Sequence, residues 1–257
     1  MIRPSTIPQS LEDLIVEHAV AREALRLGLA HHRTIATRLK GVQIQRTISD
    51  MFDQSVEDST VHMMKIDVIA GTGGLLSHAP RRVQPMFILS DAWLPEGVTR
   101  MFQDSVFMMP HLGVTSTVAR DPAWSIFDKD CLVRIGTSIA AAGTGKLGDP
   151  VMTVEYTPPT GEPVKEEMSF GEIKLVPLAE GIEVDAVITP AKTFDVGEAP
   201  GKPKHAKILG GVAGLMLDAR GRPLYLPEDD SQRRDLLYKW FTALKLYPED
   251  PLKALVR

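Results

Sequence analysis

One stretch of the sequence constrains the fold more than any other: a mostly apolar run, residues 66–70, that ends in three glycines within four residues. Such a run predicts a buried strand. Glycine permits positive φ and lets a ligand approach the backbone, because it has no Cβ. α/β proteins commonly place a phosphate or a nucleoside where a buried strand ends in a glycine turn. We therefore predict a nucleotide-binding turn at Gly71, Thr72, Gly73 and Gly74.

Two arginines that follow this turn are further candidates for the same site. Arg81 and Arg82 could contact phosphate, because a guanidinium offers paired donors to phosphate oxygens, although a solvated surface pair is an equal alternative. The turn is not a dinucleotide fingerprint, since the position of the third glycine is occupied by Leu76. A strand-to-helix turn without a ligand also remains open.

A second glycine-rich segment, residues 143–146, matches a P-loop only in part. The first glycine of that motif would fall at Ala140, and the residue after Lys146 is Leu147 rather than serine or threonine. We therefore interpret this segment as the loop of a β-hairpin.

Histidine and aspartate residues near the glycine turn raise the alternative of a metal-dependent enzyme. His78 and His111 follow apolar segments, and Asp91 and Asp104 lie nearby in the sequence. Imidazole and carboxylate groups are common metal ligands, but no two histidines have the spacing of a known zinc motif. His78 is therefore equally explained as a residue that lines the turn. The single cysteine, Cys131, excludes an intramolecular disulfide, and we expect it in the core.

The pattern of the chain changes near residue 115. Before it, helical and strand patterns alternate, which is typical of α/β folds. The predicted elements are a long helix (11–38), a second helical piece (42–52), a polar loop (53–59), a strand (86–89) and a short helix or irregular segment (98–109). After it, short runs between glycines and prolines predict strands at 131–135, 151–156, 171–176, 182–188 and 211–218, with a flexible loop at 196–207.

These patterns divide the chain into three parts. Residues 1–115 form an α/β unit, residues 116–230 a small β-rich barrel or sandwich, and residues 231–257 a C-terminal amphipathic helix and tail. Formal net charge is −4, so no basic field attracts nucleic acid. No signal peptide is evident, and no apolar run approaches the roughly 18 residues that span a bilayer. We therefore expect a cytoplasmic protein that binds neither nucleic acid nor membranes.

The segments DVIAGTGGLLSHAPRR (67–82) and DAWLPEGVTRMFQDSVFMMPHLGVTS (91–116) resemble the glutamate mutase L family. These are accessory proteins of cobalamin-dependent mutases and are unrelated to the mismatch-repair protein that shares the name MutL. The likeness extends upstream through IPQSLEDLIVEHAVAREALRL and downstream through FDKDCLVRIGTSIAAAG and GGVAGLMLDARGRPLYLP. It therefore covers most of the chain.

The resemblance implies a fold, a ligand and a role. The family is similar to the actin/Hsp70/sugar-kinase superfamily of ATPases, in whose second lobe a strand and a Gly-Gly turn form the adenosine motif. Here that motif would be residues 68–74, with ATP or ADP as the ligand, in a partial second lobe. The implied role is to assist or reactivate a cobalamin-dependent mutase in a chaperone-like way.

The sequence departs from this family in one respect. It lacks the N-terminal glycine hairpin with which the first lobe of such ATPases binds phosphates. We therefore expect the chain to correspond to the C-terminal half of the family pattern. Phosphoryl transfer requires charge neutralisation on all sides of the phosphate, so we expect no independent catalysis unless a separately encoded first lobe completes the site.

The alternative to a nucleotide-binding protein is a non-catalytic module that binds other proteins. The Met- and Phe-rich stretch 101–109 and the C-terminal helix would then be surfaces for a partner or for a second copy of the chain. The glycines would be turns only.

Overall fold

The computed structural model describes residues 7–35 and 61–256, in which three layers of secondary structure are stacked. The helices are α1 (Leu11–Ile35), α2 (Gly74–Ser77), α3 (Val83–Trp93), α4 (Met109–Thr115), α5 (Arg120–Ile126), α6 (Asp230–Ala243) and α7 (Glu249–Val256). The strands are β1 (Val68–Gly71), β2 (Gly97–Asp104), β3 (Leu132–Ala140), β4 (Pro150–Tyr156), β5 (Val164–Ser169), β6 (Ile173–Val176), β7 (Glu183–Pro190), β8 (Lys204–Leu209) and β9 (Gly214–Asp218). The helical piece predicted at 42–52 and the loop predicted at 53–59 lie outside the described residues.

The middle layer is a five-stranded mixed sheet in the order β1-β2-β3-β9-β6. Its strands come from both sides of residue 115. β1 runs parallel to β2, and β3 runs parallel to β9, while the other two pairs are antiparallel. Successive side chains of a strand face opposite sides, so Met216 packs among the helices whereas Leu215 and Leu217 pack towards the second sheet. Both faces of β9 are therefore covered, and all five of its residues are buried.

The second sheet is antiparallel, in the order β5-β4-β7-β8. Its inner face contributes Val154, Ile188 and Ile208 to the core that it shares with Ile139 and Leu217 of the five-stranded sheet. The described strands form two sheets packed face to face, and neither sheet closes on itself, so of the two predicted alternatives the sandwich fits. The mixed α/β class is confirmed, and the likeness to an ATPase lobe stays a prediction.

Helices α1, α3, α6 and α7 cover the other face of the five-stranded sheet. α1 begins where predicted, because the Ser10 hydroxyl accepts the N–H of Asp13 at 3.1 Å. The predicted C-terminal helix is also present. Its Trp240 is buried and donates Nε1–H to the carbonyl of Gly171 at 2.7 Å. Within the described residues, no helix combines the length and the apolar character that crossing a bilayer requires.

Two secondary-structure predictions before residue 115 are wrong. The predicted strand at 86–89 lies inside helix α3, whose residues from Val83 to Ser90 are all buried. A helix buried on every side lacks the polar face that produces a 3.6-residue period, so a short apolar run does not distinguish it from a strand. The predicted helix or irregular segment at 98–109 is mostly strand β2, in which burial alternates from residue to residue.

Two predictions in the β-rich part also need correction. Residues 143–146 do not form a hairpin loop, because β3 and β4, which they connect, belong to different sheets. The predicted flexible loop at 196–207 includes the start of β8, whose residues pair with β7. His205 and Lys207 are exposed, but Lys204 lies on the same side as the buried Ile208, so the sequence does not show a clear apolar alternation.

A buried group of charged side chains fastens the helices to the sheet. Arg220 pairs with Asp218 at 2.8 Å and with Asp91 of α3 at 2.6 Å, and Arg22 of α1 reaches Asp91 at 2.8 Å. Burial alone would raise the pKa of Asp218, but the charges of Arg220 and Arg222 outweigh it and hold that pKa far below its usual value. The group therefore remains charged at neutral pH.

His18 is a buried titratable group in the same helical layer. Its Nδ1 lies 2.9 Å from the Tyr247 hydroxyl, and its Nε2 has no hydrogen-bond partner among the described residues. Burial, assisted by the nearby charge of Arg22, lowers the pKa of His18 from 6.5 to about 4. The folded state therefore favours neutral His18.

We predict that His18 makes the protein less stable in mild acid. Between pH 6.5 and 4 the unfolded chain binds a proton that the folded chain excludes, so the free energy of unfolding falls as the pH falls. The loss is about 2 kcal/mol after allowance for solvent screening. Urea unfolding measures this. Over the same pH range, the free energy of unfolding should fall by about 2 kcal/mol less in His18→Gln than in the unsubstituted protein. His31→Gln, on the exposed face of α1, is the control, and an unchanged slope in His18→Gln would refute the assignment.

Candidate functional site

The glycine turn lies at an edge of the five-stranded sheet where two parallel strands end. Gly71 ends β1 and is paired in register with Gln103, one residue before the end of β2 at Asp104. Parallel strands finish at the same edge, and ligands of α/β sheets bind beyond this carboxyl edge. The turn then leads directly into α2.

The structure gives a different explanation for the presence of glycine at each of the three positions of the turn. A Cβ on Gly71 would lie 2.7 Å from Cδ1 of Leu76 and 3.1 Å from Cδ1 of Leu89, so a side chain there would displace these buried leucines and packing favours glycine. Gly73 has φ of 108°, which L side chains rarely adopt. Gly74 has neither constraint, because in the part of the chain that the structure describes only His78 lies within 4 Å of its Cβ position, at 3.9 Å. Close approach of a ligand remains as a reason for glycine there.

The turn is accessible and has spare hydrogen-bond donors. Thr72 and Gly74 are exposed. Within the described residues, the backbone N–H groups of Gly73, Gly74 and Leu75 have no acceptor. α2 is only four residues long, so its macrodipole adds little to anion binding.

The Asp104 carboxylate is the hydrogen-bonding centre of this edge. Its Oδ1 accepts the N–H groups of Val106 at 3.3 Å and Met108 at 3.1 Å. Its Oδ2 accepts the N–H of Met109 at 2.7 Å and the hydroxyl of Thr72 at 3.1 Å. Although burial raises the pKa of Asp104, these four donors together hold it below its usual value. Asp104 is therefore a buried carboxylate that joins the turn to the loop after β2.

Further hydrogen bonds fix α2 against the end of β2. The Ser77 hydroxyl donates to the carbonyl of Asp104 at 2.7 Å, and Gln103 Nε2 donates to the carbonyl of Leu76 at 2.9 Å. Asp104, Ser77 and Gln103 are all buried. The turn is therefore supported by polar contacts on its inner side while its outer side is open.

The two predicted arginines point to different places. Arg82 Nη1 donates to the carbonyl of Ser77 at 3.1 Å and so lies beside α2. Arg81 is exposed, and its Nη1 donates to the carbonyl of Lys245, just after α6, at 2.6 Å. Of the pair, Arg82 is the one held against the element that follows the turn.

The four residues of the metal hypothesis are not brought together. Asp91 is engaged by Arg22 and Arg220, and Asp104 by the loop after β2. His78 and His111 are exposed. Across residues 7–35 and 61–256, no group of three or more His, Cys, Asp or Glu side chains is placed to hold a metal ion.

The segment between β2 and β3, residues 105–131, carries an exposed apolar surface, which we call the apolar excursion. Its large exposed side chains are Val106, Phe107, Val114, Val118, Trp124 and Ile126. Phe107 adopts φ of 61°, in the left-handed region. Cys131 at its end is buried and free, as predicted, and burial raises the pKa of its thiol. Sequence analysis identified only the start of this surface, because the residues after 113 show no continuous apolar run.

Comparison with known proteins was made by sequence families, curated proteins and solved structures. A family model described as MutL protein matches residues 1–131, which is 131 of the 257 residues and includes the glycine turn and the apolar excursion. No curated protein and no solved structure matches the chain.

Proposed function

The chain belongs to the MutL family, the glutamate mutase L proteins that its sequence resembles, and from this membership we propose that it is an accessory protein of a cobalamin-dependent mutase. We propose further that the glycine turn binds the adenosine part of ATP or ADP. The observation that carries the nucleotide proposal is the exposed turn at the carboxyl edge of β1 and β2, with free N–H groups and a glycine at position 74 that packing does not require.

Charge at the turn favours adenosine over phosphate as the bound part. The Asp104 carboxylate lies behind Thr72, and a negative charge there repels phosphate. α2 is too short to offset this repulsion with its dipole. The phosphates of a bound nucleotide would therefore extend away from the turn. Hydrolysis by this chain alone is not expected.

We predict that Gly74→Ala weakens adenine nucleotide binding without harming the fold. The added methyl group meets no atom of the described residues closer than 3.9 Å, but it occupies the space that a ligand would need beside the backbone. Calorimetric titration with ATP, ADP and adenosine should show an affinity at least about tenfold lower than in the unsubstituted chain, which corresponds to about 1.4 kcal/mol.

Gly113→Ala is the matched control, because among the described residues its added methyl also meets nothing within 4 Å, and Gly113 belongs to α4 and not to the turn. It should bind as the unsubstituted chain does. Equal affinity of Gly74→Ala and Gly113→Ala would remove the turn from the site. If millimolar nucleotide did not bind the unsubstituted chain, with or without a candidate first lobe, the nucleotide proposal would be abandoned.

The apolar excursion supports a second function, docking on a component of the mutase. Val118 is 87% exposed and Trp124 is 60% exposed, and a concentration of exposed large apolar side chains in one segment is a feature of protein interaction sites. Family membership indicates a mutase component as the occupant. This function needs no nucleotide, so it also covers the alternative in which the glycines are turns only.

We predict that Val118→Asp weakens binding of a purified cobalamin-dependent mutase component at least about tenfold, because a charge would be desolvated in an apolar contact. The substituted side chain is exposed, so the fold should be unaffected. Val212→Asp introduces the same charge at an exposed valine outside the excursion and should bind normally. Surface plasmon resonance measures both, and normal binding by Val118→Asp would exclude the excursion as the docking surface.

A further inference from the structure

The hydrogen bond between Thr72 and Asp104 determines the direction of the Thr72 hydroxyl proton. An ionised carboxylate accepts hydrogen bonds and cannot donate them, so the 3.1 Å contact between Thr72 Oγ1 and Asp104 Oδ2 has Thr72 as the donor. A hydroxyl has one proton, and here it points inward. What remains on the exposed side of Thr72 is a pair of acceptor lone pairs.

The Asp104 carboxylate is itself fixed in position. Its side chain is completely buried, and three backbone N–H groups of the loop that follows it bind its two oxygens. The main-chain carbonyl of Asp104 also accepts from Ser77. Rotation of the carboxylate would break several of these bonds, so the orientation imposed on Thr72 persists.

We propose that Asp104 makes Thr72 a hydrogen-bond acceptor towards the ligand, and that this pair selects a donor group of a nucleoside over phosphate. The inference rests on the proposed function and specifies the chemistry of the same turn. Thr72 contacts the ligand, and Asp104 is a positioning residue that acts through Thr72. Donation to a carboxylate polarises the hydroxyl and strengthens its capacity to accept.

The donors of adenosine are the ribose hydroxyls and the amino group of adenine. Phosphate oxygens at neutral pH are predominantly acceptors, so they have no partner at Thr72 and face the Asp104 charge. The pair therefore selects for the sugar or the base. Adenosine analogues distinguish these two donors: 2′,3′-dideoxyadenosine lacks the 2′- and 3′-hydroxyls and keeps only the 5′-hydroxyl, which carries the phosphates in ATP and ADP, whereas purine riboside lacks the amino group.

The first test replaces Thr72 and measures binding of adenosine by calorimetry. Thr72→Val removes the acceptor with little change in shape and should lower the affinity for adenosine roughly tenfold, the usual effect of one hydrogen bond. Thr72→Ser should restore it. Thr115→Val, another exposed threonine whose hydroxyl binds the carbonyl of His111 rather than Asp104, should bind adenosine normally.

The analogues provide a second readout on the same variants. The analogue that lacks the selected donor should bind the unsubstituted chain roughly tenfold more weakly than adenosine does, and it should bind Thr72→Val with no further loss. Inorganic phosphate should not compete with adenosine. Equal binding of all three nucleosides, or competition by phosphate, would overturn the inference.

Asp104→Asn tests the positioning role. Oδ1 accepts two N–H groups and Oδ2 accepts one, so the amide nitrogen is expected at the Oδ2 position, where it donates to Thr72. The Thr72 proton would then point outward, and the variant should lose its preference for adenosine over the analogue that lacks the donor. Retained preference in a folded Asp104→Asn protein would overturn the role of Asp104. If Asp104→Asn does not fold, the Thr72 variants and the analogues still test whether Thr72 accepts a hydrogen bond from the nucleoside.

The outcomes separate this inference from the proposed function. Absence of adenosine binding by the unsubstituted chain overturns both. Adenosine binding that is weakened by Gly74→Ala but unaffected by Thr72→Val retains the proposed function and overturns the inference. Loss of affinity in Thr72→Val, with rescue by Thr72→Ser, supports both.

Discussion

The structure depends on the ion pairs that Arg220 makes inside the core. Its guanidinium lies between the rings of Phe87 and Trp240, 5.1 and 4.8 Å from their centroids, and pairs with Asp218 and Asp91. Removing one partner of a buried pair costs about 3–5 kcal/mol, because the other charge is left without compensation. The pairs connect β9 to α3, and Arg22 extends the connection to α1. They therefore set the position of the helical layer on the sheet.

The packing of α2 and α3 in turn constrains the glycine turn. A Cβ on Gly71 would lie 2.7 Å from Leu76 of α2 and 3.1 Å from Leu89 of α3, so a side chain there would displace these buried leucines. Gly73 is required by its backbone conformation, whereas Gly74 is free of both requirements. Sequence alone presents the three glycines as equivalent, but the fold explains two of them. Only the third, with Thr72 beside it, is left for an explanation by ligand binding.

Several elements could be predicted from sequence because their patterns are local. The capped, proline-free α1, the alternating strand β7 and the C-terminal helix α6 follow from residues close together in the chain. Helix α3 could not be predicted, since complete burial removes its periodic signal. The family could be predicted as well, because its motifs are long enough to be distinctive.

The roles of the charged residues could not be predicted, because their partners are distant in sequence. Asp104 bonds to Thr72, 32 residues before it, and to the backbone of its own loop, which leaves no trace in residue types. Asp91 pairs with Arg220, 129 residues later. Both aspartates were candidate metal ligands, together with two histidines, in one alternative drawn from the sequence, since spacing does not reveal that each carboxylate is already bound. The fold gives each of the two carboxylates its own binding partners.

The central claim is that this chain holds the adenosine side of a nucleotide site. The measurement that tests it most directly is a calorimetric comparison of adenosine and ATP with the unsubstituted chain alone. Because the proposed contact is with the nucleoside and not with the phosphates, the account predicts affinities that agree to within about tenfold, or about 1.4 kcal/mol. ATP binding that is more than about a hundredfold tighter than adenosine binding would show that the chain recognises phosphate, and would contradict the account.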